Sequence, residues 1–269
     1  AGQLHIPLSL DAVTPRGGLV EIPWMTVEEL RQFEAGLSRV EADMRMGRSR
    51  TPKQDSAYFS AWRGELVQAK PLDQLAGWRL GVGIDHGSKP GSQRVIVVAC
   101  GGRGLYSCIH VLAEWSGQGR TNTRDDAKAI INLLESHGFR LEDVDHWIGD
   151  RAHHGDKRGG KKSNTRLKAA IAEALGHDTQ RRGWSEKLPK PLRFMRTPRK
   201  FDQSVWEGAE ILHRLQVSDP PRFTVDPGCS DLIRDLNEWN GSTSATNPFK
   251  HGIDALRYIS VPLVENLAH

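Results

Sequence analysis

Three short β-rich runs open the most clearly patterned part of the chain: WRLGVGID (78–85), RVIVVAC (94–100) and LYSCIHVLAEW (105–115), split by Gly-rich turns. β-Branched and aromatic residues bounded by glycine predict strands, and connections this short favour antiparallel neighbours. The period then lengthens. In TRDDAKAIINLLESHG (123–138) Thr123 stands as the N-cap, Ile130, Leu133 and Leu134 supply one face, and Gly138 stops the helix. DHWIGD (145–150) predicts a fourth strand and TRLKAAIAEALG (165–176) a helix. Strands are expected at LRFMRT (192–197) and RFTVD (222–226), around a helix at QSVWEGAEILHRL (203–215). Two further helices follow, CSDLIRDLNEW (229–239) and HGIDALRYISV (251–261).

The first 75 residues are patterned differently. TVEELRQFEAGLSRVEADM (26–44) opens with a capping box, Thr26 and Glu29, and places Leu30, Phe33, Leu37, Val40 and Met44 in steps of three and four. SAYFSAWRGELV (56–67) predicts a second, shorter helix with Tyr58, Phe59, Trp62 and Leu66 on its apolar side. These helices are too few to make a core alone. The expected organisation is a helical extension or linker over 1–75 and one larger domain over 76–269. Three strands, then alternation of helix and strand, predict an α/β domain: a mixed sheet with helices on both faces, the element order of the RNase H-like fold.

The 269 residues, 38% of them hydrophobic and 26% charged, suit a soluble globular chain with a real core. No apolar run approaches the ~18 residues of a membrane span, and the opening AGQLHIPLSL has no basic region of a signal peptide. The absence of an initiator Met suggests a processed chain or an excised fragment. Cys100, Cys108 and Cys229 form no CxxC and cannot all pair, so they read as small buried residues in a reducing compartment. Charge changes the picture most. The net is +4, yet residues 151–200 hold fifteen Lys/Arg against four Asp/Glu, leaving the remainder acidic. Such a block suggests a polyanionic partner, DNA or RNA foremost, or a loop kept solvated by charge.

Sites in open sheets lie at the ends of central strands. Two apolar strands here end in a carboxylate: LGVGID delivers Asp85 and DHWIGD delivers Asp150. Gly81 and Gly83 keep the first strand slim, so that a partner can approach closely. A third carboxylate, Asp254, lies beside the apolar face Ile253, Leu256 and Ile259 of the last helix. If the fold converges the three, their repulsion requires cations, and hard oxygen donors select Mg2+ or Mn2+, two ions ~4 Å apart, for phosphodiester hydrolysis. Each carboxylate also has an ordinary explanation: Asp85 as a turn-former before Gly, Asp150 paired with Arg151 or a nearby Lys, Asp254 paired with Arg257 at i+3. Lys157, Arg158, Lys161, Lys162 and Arg166 are the candidate DNA contacts in the basic block. His86, His153, His154 and Asp156 lie near the site in sequence, and Trp184 in RRGWSEK is a candidate stacking residue. GDKRGGKK (155–162) is no P-loop, because Lys162 stands where the Mg2+-binding hydroxyl belongs.

The pattern GIDHG, WIGD, PGCSDLIRDLNEW and HGIDALRY resembles the nuclease domain of the large terminase subunit of tailed bacteriophages, over roughly residues 78–263. The resemblance implies an RNase H-like fold and a two-metal site. Asp85 would bridge both ions, and Asp150 and Asp254 would each hold one. It implies a metal-dependent endonuclease that cuts double-stranded DNA during viral genome packaging in the host cytoplasm. Its partners would be an ATPase motor domain that this chain lacks, a small terminase subunit and the portal. Competing readings are another RNase H-like nuclease, such as a junction resolvase or integrase, and a non-catalytic nucleic-acid-binding or docking module.

Overall fold

The computed structural model describes residues 57–59, 61–87, 93–117, 123–149, 163–180, 184, 195–196, 205–244 and 246–265. One six-stranded sheet organises them, from β1 (Arg79–Asp85), β2 (Arg94–Gly101), β3 (Cys108–Ser116), β4 (His146–Gly149), β5 (Met195–Arg196) and β6 (Phe223–Val225). Across the sheet the order is β5-β4-β1-β2-β3-β6. The three first strands run as an antiparallel meander, β1 with β2 and β2 with β3. β4 lies parallel to β1, β5 parallel to β4, and β6 parallel to β3. The sheet is therefore mixed, as the element order predicts. β2 and β3 slip register between Val97 and Val98, which leaves Leu112 without a cross-strand partner at a bulge.

Side chains alternate across a strand, so each face of the sheet has its own core. On one face Leu80, Val82 and Ile84 of β1 and Val95, Val97 and Ala99 of β2 pack with α1 (Thr123–Ser136) and α2 (Ser163–Ala174). On the other, Ile96 and Val98 of β2 and Ile109 and Val111 of β3 meet α3 (Val205–Val217), α4 (Ser230–Glu238) and α5 (Lys250–Val264). Helix α5 is buried nearly all round. Ile253, Leu256, Ile259 and Leu263 have no exposed surface, and burying each is worth about 2 kcal/mol relative to leaving it in water. What lets α5 come so close is β1. A Cβ on Gly83 would sit 2.1 Å from the Ala255 carbonyl oxygen, and one on Gly81 2.6 Å from Ile259. The partner that these glycines admit is thus the helix that carries Asp254.

One expectation fails. The segment with Tyr58, Phe59, Trp62 and Leu66 does not form the expected α-helix; among its described residues there is a 3-10 turn at Gly64–Leu66. Its two ends bond to distant parts of the chain. The Tyr58 N–H donates to the Trp239 carbonyl at 2.6 Å, the Gln68 N–H donates to the Val225 carbonyl at 2.9 Å, and Val67 bridges Val225. Phe59, Trp62 and Leu66 are buried in the α3–α5 core. The helix expected over 26–44 lies outside the described residues.

Candidate active site

The site lies where β1 ends and α5 begins. β1 and β4 run parallel with Ile84 opposite Gly149, so both strands deliver their C-terminal ends to the same edge of the fold. The next residue on β1 is Asp85, buried at 6% exposure. The next residue after Gly149 in the sequence is Asp150, which lies outside the described residues. Helix α5 starts above this edge. Its N-terminus is set by Asn247, whose side chain accepts the Phe249 N–H at 3.0 Å and whose carbonyl accepts the Lys250 N–H at 3.4 Å.

Two carboxylates converge here. The Asp85 Oδ2 lies 2.8 Å from His251 Nδ1 on the first turn of α5. Asp254, one turn further on and 1% exposed, is held on both oxygens. Arg257 donates to Oδ1 at 3.0 Å, and Lys250 pairs with Oδ2. Burial holds the Asp85 carboxyl above its usual range. The Asp254 charge adds to that rise, while the His251 hydrogen bond and the Lys250 charge oppose it. The two carboxylates are thus close enough to repel, with His251 on one and Lys250 on the other.

The surroundings make this arrangement rigid. Arg257 is 1% exposed, its guanidinium lies 4.7 Å from the Tyr258 ring centroid, and it fills the space that Gly208 of α3 leaves free. A Cβ at Gly208 would come within 2.2 Å of Arg257. On the other flank Arg94, directly opposite Asp85 across the β1–β2 pair, is buried and donates to Asp231 at 2.8 Å and Asp235 at 2.7 Å. Glu114 of β3 accepts the N–H groups of Asp231 and Leu232 and so caps α4. Asp235 in turn fits against Gly252, where a Cβ would stand 2.2 Å from its Oδ2. Sheet, α4 and the start of α5 are locked together beside the site.

Of the residues singled out from sequence, Asp85 and Asp254 are brought together. Arg257 pairs with Asp254, as its i+3 spacing allows, and holds the carboxylate in place. Lys157, Arg158, Lys161, Lys162, His153, His154 and Asp156 lie outside the described residues; Arg166 is exposed on the first turn of α2. Trp184 is half-buried against the α1–α2 core, with Lys168 Nζ 5.9 Å from its ring centroid. Sequence reasoning missed the parts played by Lys250 and His251. The i,i+4 spacing of Lys250 and Asp254 signals the first pair, whereas the contact from His251 to Asp85 spans 166 positions. Among the described residues no group of three His, Cys, Asp or Glu side chains is placed to hold a metal. What fits a divalent ion is the donor chemistry: two buried carboxylates, hard oxygen ligands, with the Lys250 ammonium standing on one of them as a cation would. No helix among the described residues is long and apolar enough to cross a membrane.

No protein-family model and no curated protein matches the sequence. Solved structures do match. The P22 large terminase nuclease domain superposes with a TM-score of 0.50, covering 77% of this chain and 92% of that one at 16% identity. The nuclease domain of the large terminase g2p from bacteriophage SPP1, with bound Mn, gives a TM-score of 0.39 over 71% of this chain and 91% of that one, at 14% identity. The P22 likeness shows the fold: a mixed sheet flanked by helices, the RNase H-like arrangement.

Proposed function

We propose that this chain is a metal-dependent endonuclease for double-stranded DNA, the cutting part of a viral packaging terminase. The observation that carries the proposal is the convergence of Asp85 and Asp254 at the end of β1, beside the strand that leads into Asp150. The likeness of fold to a terminase nuclease domain supports it.

In this reading Asp85, Asp150 and Asp254 hold two Mg2+ or Mn2+ ions. When bound, such ions supply a water made nucleophilic at neutral pH and neutralise charge on the attacked and leaving oxygens. The chain's own groups do the positioning. Asp85 is fixed by β1, which is paired on both sides, and His251 Nδ1 orients its carboxylate. Arg257 fixes the rotamer of Asp254. A ligand on such a frame is placed better than one on a loop. The basic stretch with Lys157, Arg158, Lys161, Lys162 and Arg166 tracks the phosphate backbone by charge. In a packaging assembly the ATPase motor, the small terminase subunit and the portal would bring DNA to the site.

The test is plasmid cleavage. Supercoiled DNA incubated with the chain in Mn2+ or Mg2+ is expected to be nicked and linearised. Chelator should stop the reaction, and Asp85→Asn should abolish it while DNA binding survives. Intact plasmid with wild type and variant alike, both still binding DNA, would sink the nuclease reading. A nucleic-acid-binding module would replace it, with Asp254 a purely structural partner of Lys250 and Arg257. Strong preference for four-way junctions would instead indicate a resolvase.

A further inference from the structure

Lys250 is in the wrong place by local rules. It is the first residue of α5, where the helix dipole favours anions and disfavours a cation. Its partner Asp254 lies four residues towards the C-terminus, the less favourable order for an i,i+4 ion pair. Breaks of local rules without a local gain are expected at functional sites.

The two cations on Asp254 also differ. Arg257 is sealed: its side chain is 1% exposed, stacked near Tyr258 and seated over Gly208. The Lys250 side chain keeps 18% of its surface in contact with solvent, and its flexible stem needs no core to open before it can leave. Lys250 is therefore the accessible partner of Asp254, and Arg257 the enclosed one. The same lysine charge reaches Asp85.

We propose that Lys250 is a built-in counter-ion, which occupies the Asp254 Oδ2 position of the metal centre and is displaced when a divalent ion binds there. The inference rests on the nuclease reading above and adds a control to it. Without metal, Lys250 and Arg257 balance the charges of Asp85 and Asp254 and keep the pocket assembled. With metal, the ammonium yields its oxygen and swings towards solvent, on the side from which an anionic substrate would approach. Every ion must then displace Lys250, which lowers metal affinity and keeps the site unloaded at low metal concentration.

Calorimetric titration of Mn2+ into wild type, Lys250→Met and Asp85→Asn tests this. Lys250→Met is expected to bind Mn2+ about tenfold more tightly, because the metal-competent state no longer has to be freed. Its metal-free melting temperature should fall, and the upward shift on adding Mn2+ should grow. Asp85→Asn should lose binding. If wild type binds Mn2+ and Lys250→Met binds equally or more weakly, displacement is wrong and the nuclease reading stands. If neither binds, both fall. A second measurement needs no variant. Reductive methylation of wild type, followed by peptide mass spectrometry, should find Lys250 more reactive when Mn2+ saturates the protein. Unchanged or lower reactivity would overturn the exchange even if Lys250→Met did not fold.

Discussion

His110 of β3 is fully buried, with Nδ1 2.9 Å from Thr224 Oγ1 on the neighbouring strand. Burial, helped by the Lys70 charge, pushes its pKa down from 6.5 to about 4. The unfolded chain therefore takes up this proton first. Stability is full above pH 6.5 and is lost as the pH falls towards 4, in all on the order of 3 kcal/mol at 1.36 kcal/mol per unit. Urea midpoints at pH 7 and pH 4.5 should fall further apart for wild type than for His110→Asn, which has no proton to take up there. Residues of this kind were only partly legible in sequence. Asp85 and Asp254 stood out because each interrupts an apolar pattern, one at a strand end and one beside a helix face. The pairing of His251 with Asp85 has no local signature, since it exists only once α5 has docked on β1.

At the scale of elements, the contact of β1 with α5 decides the site. Gly83→Ala would drive a Cβ to 2.1 Å from the Ala255 carbonyl oxygen and 2.7 Å from Ile259. A backbone atom cannot rotate away, so α5 must lift. The expected loss is about 1–3 kcal/mol, the usual range for overpacking. Thermal melts would measure it, and a Mn2+ titration should show weakened binding, because lifting α5 separates Asp254 from Asp85. If the variant melts lower yet binds Mn2+ as before, the glycine matters for packing alone. The sequence showed the two glycines and the need for a close neighbour, but not which element it was. The segment at 56–67 misled for a related reason. Tyr58, Phe59, Trp62 and Leu66 follow the helical period, yet the two ends of the segment are tied to distant chain: the Tyr58 N–H donates to Trp239, and Val67 and Gln68 pair with Val225. Period alone cannot distinguish a helix from a strap of short turns whose apolar residues happen to fall at the same spacing.

In the whole molecule, that strap belongs to the core on the α3–α5 side. Phe59 and Trp62 pack with Trp239 and Phe223, at ring-centroid distances of 5.6 and 6.0 Å. A chain starting at residue 76 would leave this face open. It should melt at a clearly lower temperature than the full chain, since losing a single buried Phe or Trp side chain costs about 3–5 kcal/mol. Equal melting temperatures would show that the strap adds nothing. The order of elements, and with it the mixed sheet, was legible because each run carries its own period. The order of strands across the sheet was not, because the pairing of β6 with β3 depends on contacts more than a hundred residues apart. That separation also bears on time. The site takes one carboxylate from β1 and another from α5, the first strand and the last helix among the described residues. While the ribosome is still making the chain, Asp85 emerges long before residue 250, and no partial product holds both acids in place. Whatever chemistry the paired acids support is therefore withheld from the nascent chain until the helix that begins at Lys250 has been made and has docked on β1.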